Sequence, residues 1–468
     1  MPKYSCLIIF SILYAKIYAL NSFAVITTIN SPWEINSNII RAVPENYEGK
    51  SFNIEINSSN CGRTVVGFGG AFNEKGWVAL QTLSPDKRRE ALSALFDQKT
   101  GCRFNFCRVP IGSSDYALSR YTLDDVKDDY DMKSFSIDRD RGCLIPYIKA
   151  AMEFCPDLKL FASAWTPPVW MKTSGDYDGG QMKNDPMVYS AYALYLAKFA
   201  ETYRAEGLNV TAVCVQNEPL IDRHYPSCLW TPQQFLTFIR DYAGPLFRKR
   251  NASFDLWLGT LQDGDYSKFS KTVLDDHEAL KYVSAAGLQW DGIWQMPEIA
   301  RNHPALTMIQ TETECGNWYW RPGFNPDHPQ NDWYYAVYTW KKVHDYMSAG
   351  ASAYVLWNMV LDNEGKSIDS QKPWPQDSAV VIDTNSRSVT YTPMFYAFKH
   401  FSAEVDTGAK TLTTTGTFSD EIAFENPDGR IILEICNSGP KPIELKVRAD
   451  GSCYSVAVPA ESFVTAVL

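Results

Sequence analysis

The chain has 468 residues, 45% of them hydrophobic and 21% charged, with 54 acidic against 44 basic side chains and a formal net charge of -10. That length allows two to four ordinary domains, or one barrel of about 250 residues with a companion. The apolar fraction excludes bulk disorder, collagen and coiled coil, and the acidic balance gives no electrostatic footprint for nucleic acid or an anionic membrane surface.

Lys3 and the apolar run from Cys6 to Ala15 open the chain, followed by Lys16 and by small residues at Ser22 and Ala24. Ten apolar residues cannot span about 30 Å of hydrocarbon, so residues 1–24 read as a signal peptide, cut between Ala19 and Ala24. No later stretch is apolar enough to span, so a soluble secretory-pathway protein, extracellular or lysosomal, is expected. Of eleven cysteines Cys6 would leave with the leader, and the remaining ten predict some disulfides. Cys214, inside an apolar run, reads instead as a buried thiol. Acceptor sequons at Asn57, Asn209 and Asn251 fit the same route. There is no C-x-x-C and no H-E-x-x-H, so neither metal nor cofactor is expected.

Residues 25–66 are short, alternating and rich in Asn and Ser, which predicts strands contributing to a β-sandwich. From Gly67 short apolar runs recur: Val65–Gly69, Phe104–Val109, Leu158–Ser163, Ala212–Val215, Phe254–Gly259, Gly287–Trp290, Thr307–Gln310 and Ala353–Trp357. Segments with helical spacing lie between them, as in Ser190–Glu206. Pro85, Pro186 and Pro232 fall near helix starts, with Ser84 and Thr231 as N-caps. Eight strand–helix repeats over residues 67–398 predict an α/β fold, a (β/α)8 TIM barrel. An open doubly wound sheet is the alternative, but Gly67-Phe-Gly69-Gly70 does not complete G-x-G-x-x-G and reads as a tight turn ending strand one. From residue 399 alternation returns in Thr411–Thr417, Glu421–Glu425, Arg430–Cys436, Pro442–Val447, Ser452–Val458 and Ser462–Val467. These predict a C-terminal β-sandwich over residues 399–468. Because residues 25–66 are too few to bury a core alone, one accompanying β-sandwich built from N- and C-terminal segments is expected.

In such a barrel, chemistry sits where strands end and βα loops begin. Strand two is followed by Asp115 and contains Arg108. Strand three leads to Trp165, strand four to Asn217-Glu218-Pro219, strand six to Gln289-Trp290, strand seven to Glu312 and Glu314, and strand eight to Trp357-Asn358. Two carboxylates thus emerge from strands four and seven, nearly opposite on the mouth, among Trp, Asn, Gln and Arg. That composition suits a sugar, since exposed rings cover its apolar faces, and the pair suits glycosidic cleavage. One carboxyl must stay protonated to protonate the leaving oxygen while the other is ionised. At about 5–5.5 Å apart they would act with retention, whereas a wider gap would admit water and invert. Asn217 could donate its amide to the sugar 2-OH. Residues two apart on a strand share a face, so Glu314 competes with Glu312; Glu312 is preferred because it directly ends its apolar run.

These residues carry a resemblance. Gly67-Phe-Gly-Gly-Ala-Phe, Arg108-Val-Pro, Ala162-Ser-Ala-Trp-Thr-Pro-Pro-Val-Trp-Met-Lys, Asn217-Glu218-Pro219, Tyr225-Pro with Cys228-Leu and Thr231-Pro232, and Trp357-Asn358 together resemble glycoside hydrolase family 30, in its glucosylceramidase (acid β-glucosidase) branch. The likeness runs from about Gly67 to Phe401. It implies a catalytic barrel joined to a sandwich from both termini, and a retaining mechanism. By the same resemblance Glu218 is the acid/base and Glu312 the nucleophile, and Arg108, Asp115, Trp165, Asn217, Tyr225, Trp357 and Asn358 line the glycone subsite. Gln289 and Trp290 are substrate-binding candidates at a departure, since that branch has His-Trp after strand six. The implied partner is a β-glucoside: most directly glucosylceramide, with peripheral contact to lipid, or alternatively a β-1,6-linked glucan cut by an endo-glucanase. Trp318, Tyr319 and Trp320 could provide apolar surface for the lipid or stack an extended glucan. The rival from another class is a non-catalytic carbohydrate-binding barrel, against which stand both carboxylates and Asn217. A serine hydrolase and a nucleotide enzyme fail for lack of G-x-S-x-G and a P-loop.

Overall fold

Eight short strands alternate with helices through the middle of the chain: β1 (Gly67–Ala71), β2 (Phe106–Ile111), β3 (Lys159–Ala164), β4 (Val210–Cys214), β5 (Asp255–Leu261), β6 (Val283–Gln289), β7 (Thr307–Glu312) and β8 (Ala353–Asn358). The computed structural model describes residues 22–44, 51–314, 316, 325, 327–373 and 375–468. Neighbouring strands pair in parallel, and β8 pairs with β1. The circuit closes through Ser352 N donating to Met308 O at 2.8 Å and Thr313 N to Val355 O at 3.1 Å. The expected barrel is therefore formed, each run lying on a strand.

The helices between begin as their sequences require. Pro85, Pro186 and Pro232 each occupy a first turn, where a missing N–H leaves nothing unsatisfied. Thr231 and Gln234 form a reciprocal capping box, and Asp185 accepts from the N–H groups of Met187 and Val188. The helix Pro186–Ala205 turns eleven residues into the core.

Gly67–Gly70 is the strand β1 itself, not the turn expected from its glycines. The reason is close approach: a Cβ on Gly69 would lie 2.1 Å from Phe106 O, and one on Gly70 2.2 Å from Met359 Cγ. Alternation then fills the barrel in layers. Phe106, Phe161, Ala212, Trp257, Ala285, Ile309 and Val355 pack as one apolar floor. Two residues further on, β2 presents Arg108 and β8 presents Trp357 on the same inward faces.

The other unit comprises the described residues up to Val65 together with Glu404–Leu468. Ten strands hydrogen-bond in one continuous order, and Phe23–Thr28 runs antiparallel to the last strand, Ser462–Val467. Side chains from most of them meet in a single cluster including Ile26, Ile56, Leu433, Val447 and Val464, so the sheet doubles over its own core as a sandwich. All six C-terminal runs are strands. Phe23 and Ala24 are buried strand residues.

The expected disulfides are not formed among the described cysteines. Cys102, Cys107, Cys143, Cys155, Cys214 and Cys228 are buried thiols, filling space as small apolar groups. Burial pushes Cys102, Cys214 and Cys228 up to about 12. Cys315 and the Trp318–Tyr319–Trp320 cluster lie outside the described residues. Among the described residues no helix is long and apolar enough to cross a membrane.

Candidate active site

A cavity of about 210 Å³ opens at the C-terminal ends of the strands. Asp115, Trp165, Asn217, Glu218, Tyr225, Trp290, Glu312 and Trp357 line it, so eight of the eleven catalytic and substrate-binding candidates meet around one cavity.

Arg108 organises the floor. Its guanidinium is fully buried; Nε donates to Ser163 Oγ at 2.8 Å, Nη1 to Glu312 Oε2 at 2.6 Å and Nη2 to Asn217 Oδ1 at 2.7 Å. Trp165 and Trp357 stack on each other at 5.1 Å, and the guanidinium carbon lies 4.4 Å from the Trp165 ring centre. One planar cation is thus fixed by a carboxylate, an amide and a ring face at once, a set only arginine can satisfy. Thr260 Oγ1 adds a second bond to Asn217 Oδ1 at 2.9 Å. With its oxygen taken twice, Asn217 turns its NH2 to the cavity it lines.

The two carboxyl groups have unlike surroundings. Glu312 is held by Arg108 Nη1 at Oε2 and by Trp290 Nε1, which donates to Oε1 at 2.9 Å. It reaches the mouth through a bulge: Leu288 pairs with Gln310 but Gln289 with Glu312, so Thr311 is the extra residue. Glu218 has no ion pair with a described residue. Desolvation first, then the charges of Glu312 and Asp115, hold its carboxyl well above the ordinary range, although solvent reaches it through the cavity. Burial, with Glu312 nearby, likewise lifts Asp115 to about 8.

Glu218 and Trp290 also share a backbone feature. Their φ angles are 46° and 54°, in the left-handed region that costs a side-chain-bearing residue about 1 kcal/mol or more. Glu218 N donating to Thr260 O at 3.0 Å and Tyr346 Oη donating to Trp290 O at 3.0 Å hold the two turns in place.

Three of those eleven candidates, and the competing carboxylate Glu314, do not line the cavity. Arg108 lies beneath it. Asn358 is buried, accepting from Asn73 Nδ2 at 3.2 Å and donating to Gln376 Oε1 at 2.7 Å. Gln289 is fully buried behind Trp290, with Thr311 Oγ1 donating to its Oε1 at 3.3 Å, because the left-handed turn at Trp290 brings the following ring over the mouth in its place. Glu314 faces away: its carboxylate receives Tyr338 Oη at 2.7 Å and pairs with Lys342 Nζ at 3.2 Å on the helix Trp333–Ser348. The same-face rule fails there because the strand ends at Glu312.

Sequence reading missed Ile221, Arg223, Gln262, Asp291 and Gln376, which complete the lining. Gln262 immediately follows β5 and was legible in principle; the others sit on loops without period. Beneath the loops after β3 and β4, Lys172 is buried and donates from Nζ to Thr166 Oγ1 (2.9 Å), Tyr177 O (2.7 Å) and Ser227 O (2.8 Å). Among the described residues no cluster of His, Cys, Asp and Glu could hold a metal ion.

Comparison with known proteins matches residues 65–405 to the glycosyl hydrolase family 30 TIM-barrel domain and residues 408–466 to the family 30 beta sandwich domain. A Caenorhabditis elegans protein named as a glucosylceramidase is 30% identical over 437 residues, covering 89% of this chain and 82% of its own. The endo-1,6-beta-D-glucanase neg1 of Aspergillus fumigatus is 26% identical over 448 residues, covering 89% and 87%. The crystal structure of SrfJ from Salmonella typhimurium shares the fold, with a TM-score of 0.85 at 22% identity over 96% of this chain and 99% of that one. With both domain models matched in order and spanning nearly all of the described chain, this protein belongs to glycosyl hydrolase family 30.

Proposed function

We propose that this chain hydrolyses a β-glucosidic bond by double displacement, with Glu218 as acid/base and Glu312 as nucleophile. One observation carries the reading: two carboxyl groups face a single cavity, one bonded to Arg108 and Trp290 and the other held towards its neutral form by burial. In the first step a Glu312 oxygen attacks the anomeric carbon, the bond from that carbon to the leaving oxygen breaks, and the Glu218 proton moves to that oxygen. In the second step ionised Glu218 takes a proton from water, the water oxygen attacks the same carbon, and Glu312 leaves as carboxylate. Two inversions give net retention. The Asn217 NH2 donates to the 2-OH, a bond that strengthens as charge develops on the ring.

An aryl β-glucoside tests the class, and absence of release by wild type across pH 4–8 overturns it. Glu312→Gly should regain turnover with azide and give the inverted glucosyl azide, whereas Glu314→Gly should retain ordinary hydrolysis. Glu218→Gln should spare substrates with good leaving groups, which need no proton in the first step; equal loss on good and poor leaving groups counts against that role.

For the aglycone, similarity to the worm protein supports glucosylceramide. Similarity to the fungal glucanase supports a β-1,6-linked glucan, and the polar outer wall of the cavity favours this second reading. The N-terminal apolar run Cys6 to Ala15 supports a secretory location, extracellular or lysosomal.

A further inference from the structure

Four of the loops that frame the cavity meet at one side chain outside its lining. Arg120 lies in the loop after β2, five residues past Asp115. Its Nε donates to Asp178 Oδ1 and its Nη2 to Asp178 Oδ2, both at 2.7 Å, in the loop after β3. The same Nη2 donates to His224 O at 2.8 Å, in the loop after β4, and to Ile368 O at 3.4 Å, in the loop after β8. Resting on the glycosidase reading above, we infer that Arg120 is a positioning residue for that reaction. It sets Tyr225 and Asp115, two walls of the cavity, against Glu218.

Each contact leads directly to a wall residue. His224 precedes Tyr225, and its carbonyl also accepts from Ser370 N at 3.0 Å. On the far side of Tyr225, Pro226 lies in an antiparallel bridge with Asp178, and Ser227 Oγ accepts from Gly179 N at 3.0 Å. Tyr225 is therefore held on both flanks, once by Arg120 and once by the segment that Arg120 grips. Its ring packs with Tyr116, Trp165 and Trp357. Burial, then the charge of Glu218, keeps its phenol above the ordinary range, so it remains a hydrogen donor. Ile368 leads the other way, because its N–H donates to Asp115 O at 2.7 Å.

An arginine is needed for this geometry. The fork against Asp178 fixes the plane of the guanidinium, and the outer hydrogen on Nη2 then falls on His224 O. Stability alone is a weak reason for the pair. The Arg120 and Asp178 side chains are 27% and 21% exposed, so solvent screens part of their attraction. Arg250 and Glu201 supply the contrast, an equally bidentate pair at 2.7 and 2.6 Å. It joins the C-terminal ends of the helices Pro186–Ala205 and Gly244–Lys249, which feed the opposite ends of the strands from the cavity.

The test measures kcat and KM on 4-nitrophenyl β-glucoside, well below each melting temperature. It compares wild type, Arg120→Met, Asp178→Ala, the double variant carrying both, and Arg250→Met. KM should rise about tenfold in Arg120→Met, because Asp115 and Tyr225 no longer meet the sugar together. A merely structural loss reduces the folded fraction, which lowers apparent kcat and leaves KM where it was. Asp178→Ala keeps the arginine but not its plane, and KM should rise by at least about threefold; this variant carries the comparison if Arg120→Met does not fold. Because the two side chains act as a unit, the double variant should be no worse than Arg120→Met alone. Arg250→Met should keep both constants within about twofold of wild type. Unchanged KM in Arg120→Met and Asp178→Ala, losses that add in the double variant, or an equal rise in Arg250→Met overturns the positioning role. Wild type inactive on the nitrophenyl glucoside overturns instead the glycosidase reading on which it rests.

Discussion

Arg108 Nη1 lies 2.6 Å from Glu312 Oε2, with the guanidinium fully buried and the carboxylate nearly so. Removing one partner of such a pair leaves the other charge uncompensated, which costs about 3–5 kcal/mol. Arg108→Met should therefore lower the melting temperature by several degrees and reduce kcat/KM by at least about a hundredfold. Arg108→Lys keeps the charge, but a single ammonium cannot hold Glu312, Asn217 and Ser163 in one plane, so kcat should still fall. An Arg108→Met variant as active as wild type would remove the pair from the mechanism.

The alkaline limb of activity should belong to Glu218. Burial and the charges of Glu312 and Asp115 raise its proton affinity, so the acid form persists well above the ordinary carboxylate range and is lost only as pH climbs past that raised value. A profile of log kcat/KM should stay level through mildly acidic pH and then decline. Asp115→Asn removes one of the charges that raise Glu218 and should move the alkaline limb to lower pH. An unmoved limb would mean that another group sets it.

Lys172 ties two loops through three acceptors in the interior, and burial pushes its ammonium down to about 8. Lys172→Met fills the same space yet strands those acceptors, at about 1–3 kcal/mol for each left unsatisfied. Because Ser227 adjoins the segment that carries Tyr225, KM should rise more than kcat falls. Limited proteolysis should find new cleavage between residues 173 and 228, and resistance equal to wild type would deny the lysine this role.

In the sandwich, Glu434 is fully buried; Thr465 Oγ1 donates to Oε2 at 2.7 Å while Oε1 lacks a partner. Burial holds this acid well above its ordinary pKa. A raised folded pKa binds a proton that the unfolded chain has released, so the contribution is complete below about pH 4.3 and declines as pH rises towards the folded value. Glu434→Gln should leave the melting temperature nearly unchanged at pH 4 and raise it at pH 7.5. Asp140 at about 6 and Asp377 at about 7 act with the same sign.

Most of the architecture was legible because it rests on local rules. Eight short apolar runs separated by helical spacing announced the barrel strands, and the prolines marked helix starts at residues 85, 186 and 232. What sequence alone could not supply was the irregular backbone at the mouth. Gly259 interrupts the fifth apolar run, so Gln262 was passed over although β5 continues to Leu261. The bulge at Thr311 and the left-handed turn at Trp290 decide that Glu312 and Trp290 face the cavity while Gln289 does not. Arg223 and Gln376 lie on loops whose course depends on distant contacts. Parity in a cysteine count carries no information on which thiols approach each other.

The left-handed backbone at position 218 has an evolutionary corollary. Glu218→Gly would relieve about 1 kcal/mol of conformational strain and remove a poorly solvated carboxyl, offset in part by about 0.5–1 kcal/mol of extra chain entropy. A catalytically dead copy should accordingly melt no lower than its parent. For a duplicated gene, drift from turnover to mere sugar binding would thus run downhill in folding free energy, and only selection on the reaction itself would hold the acid where it stands.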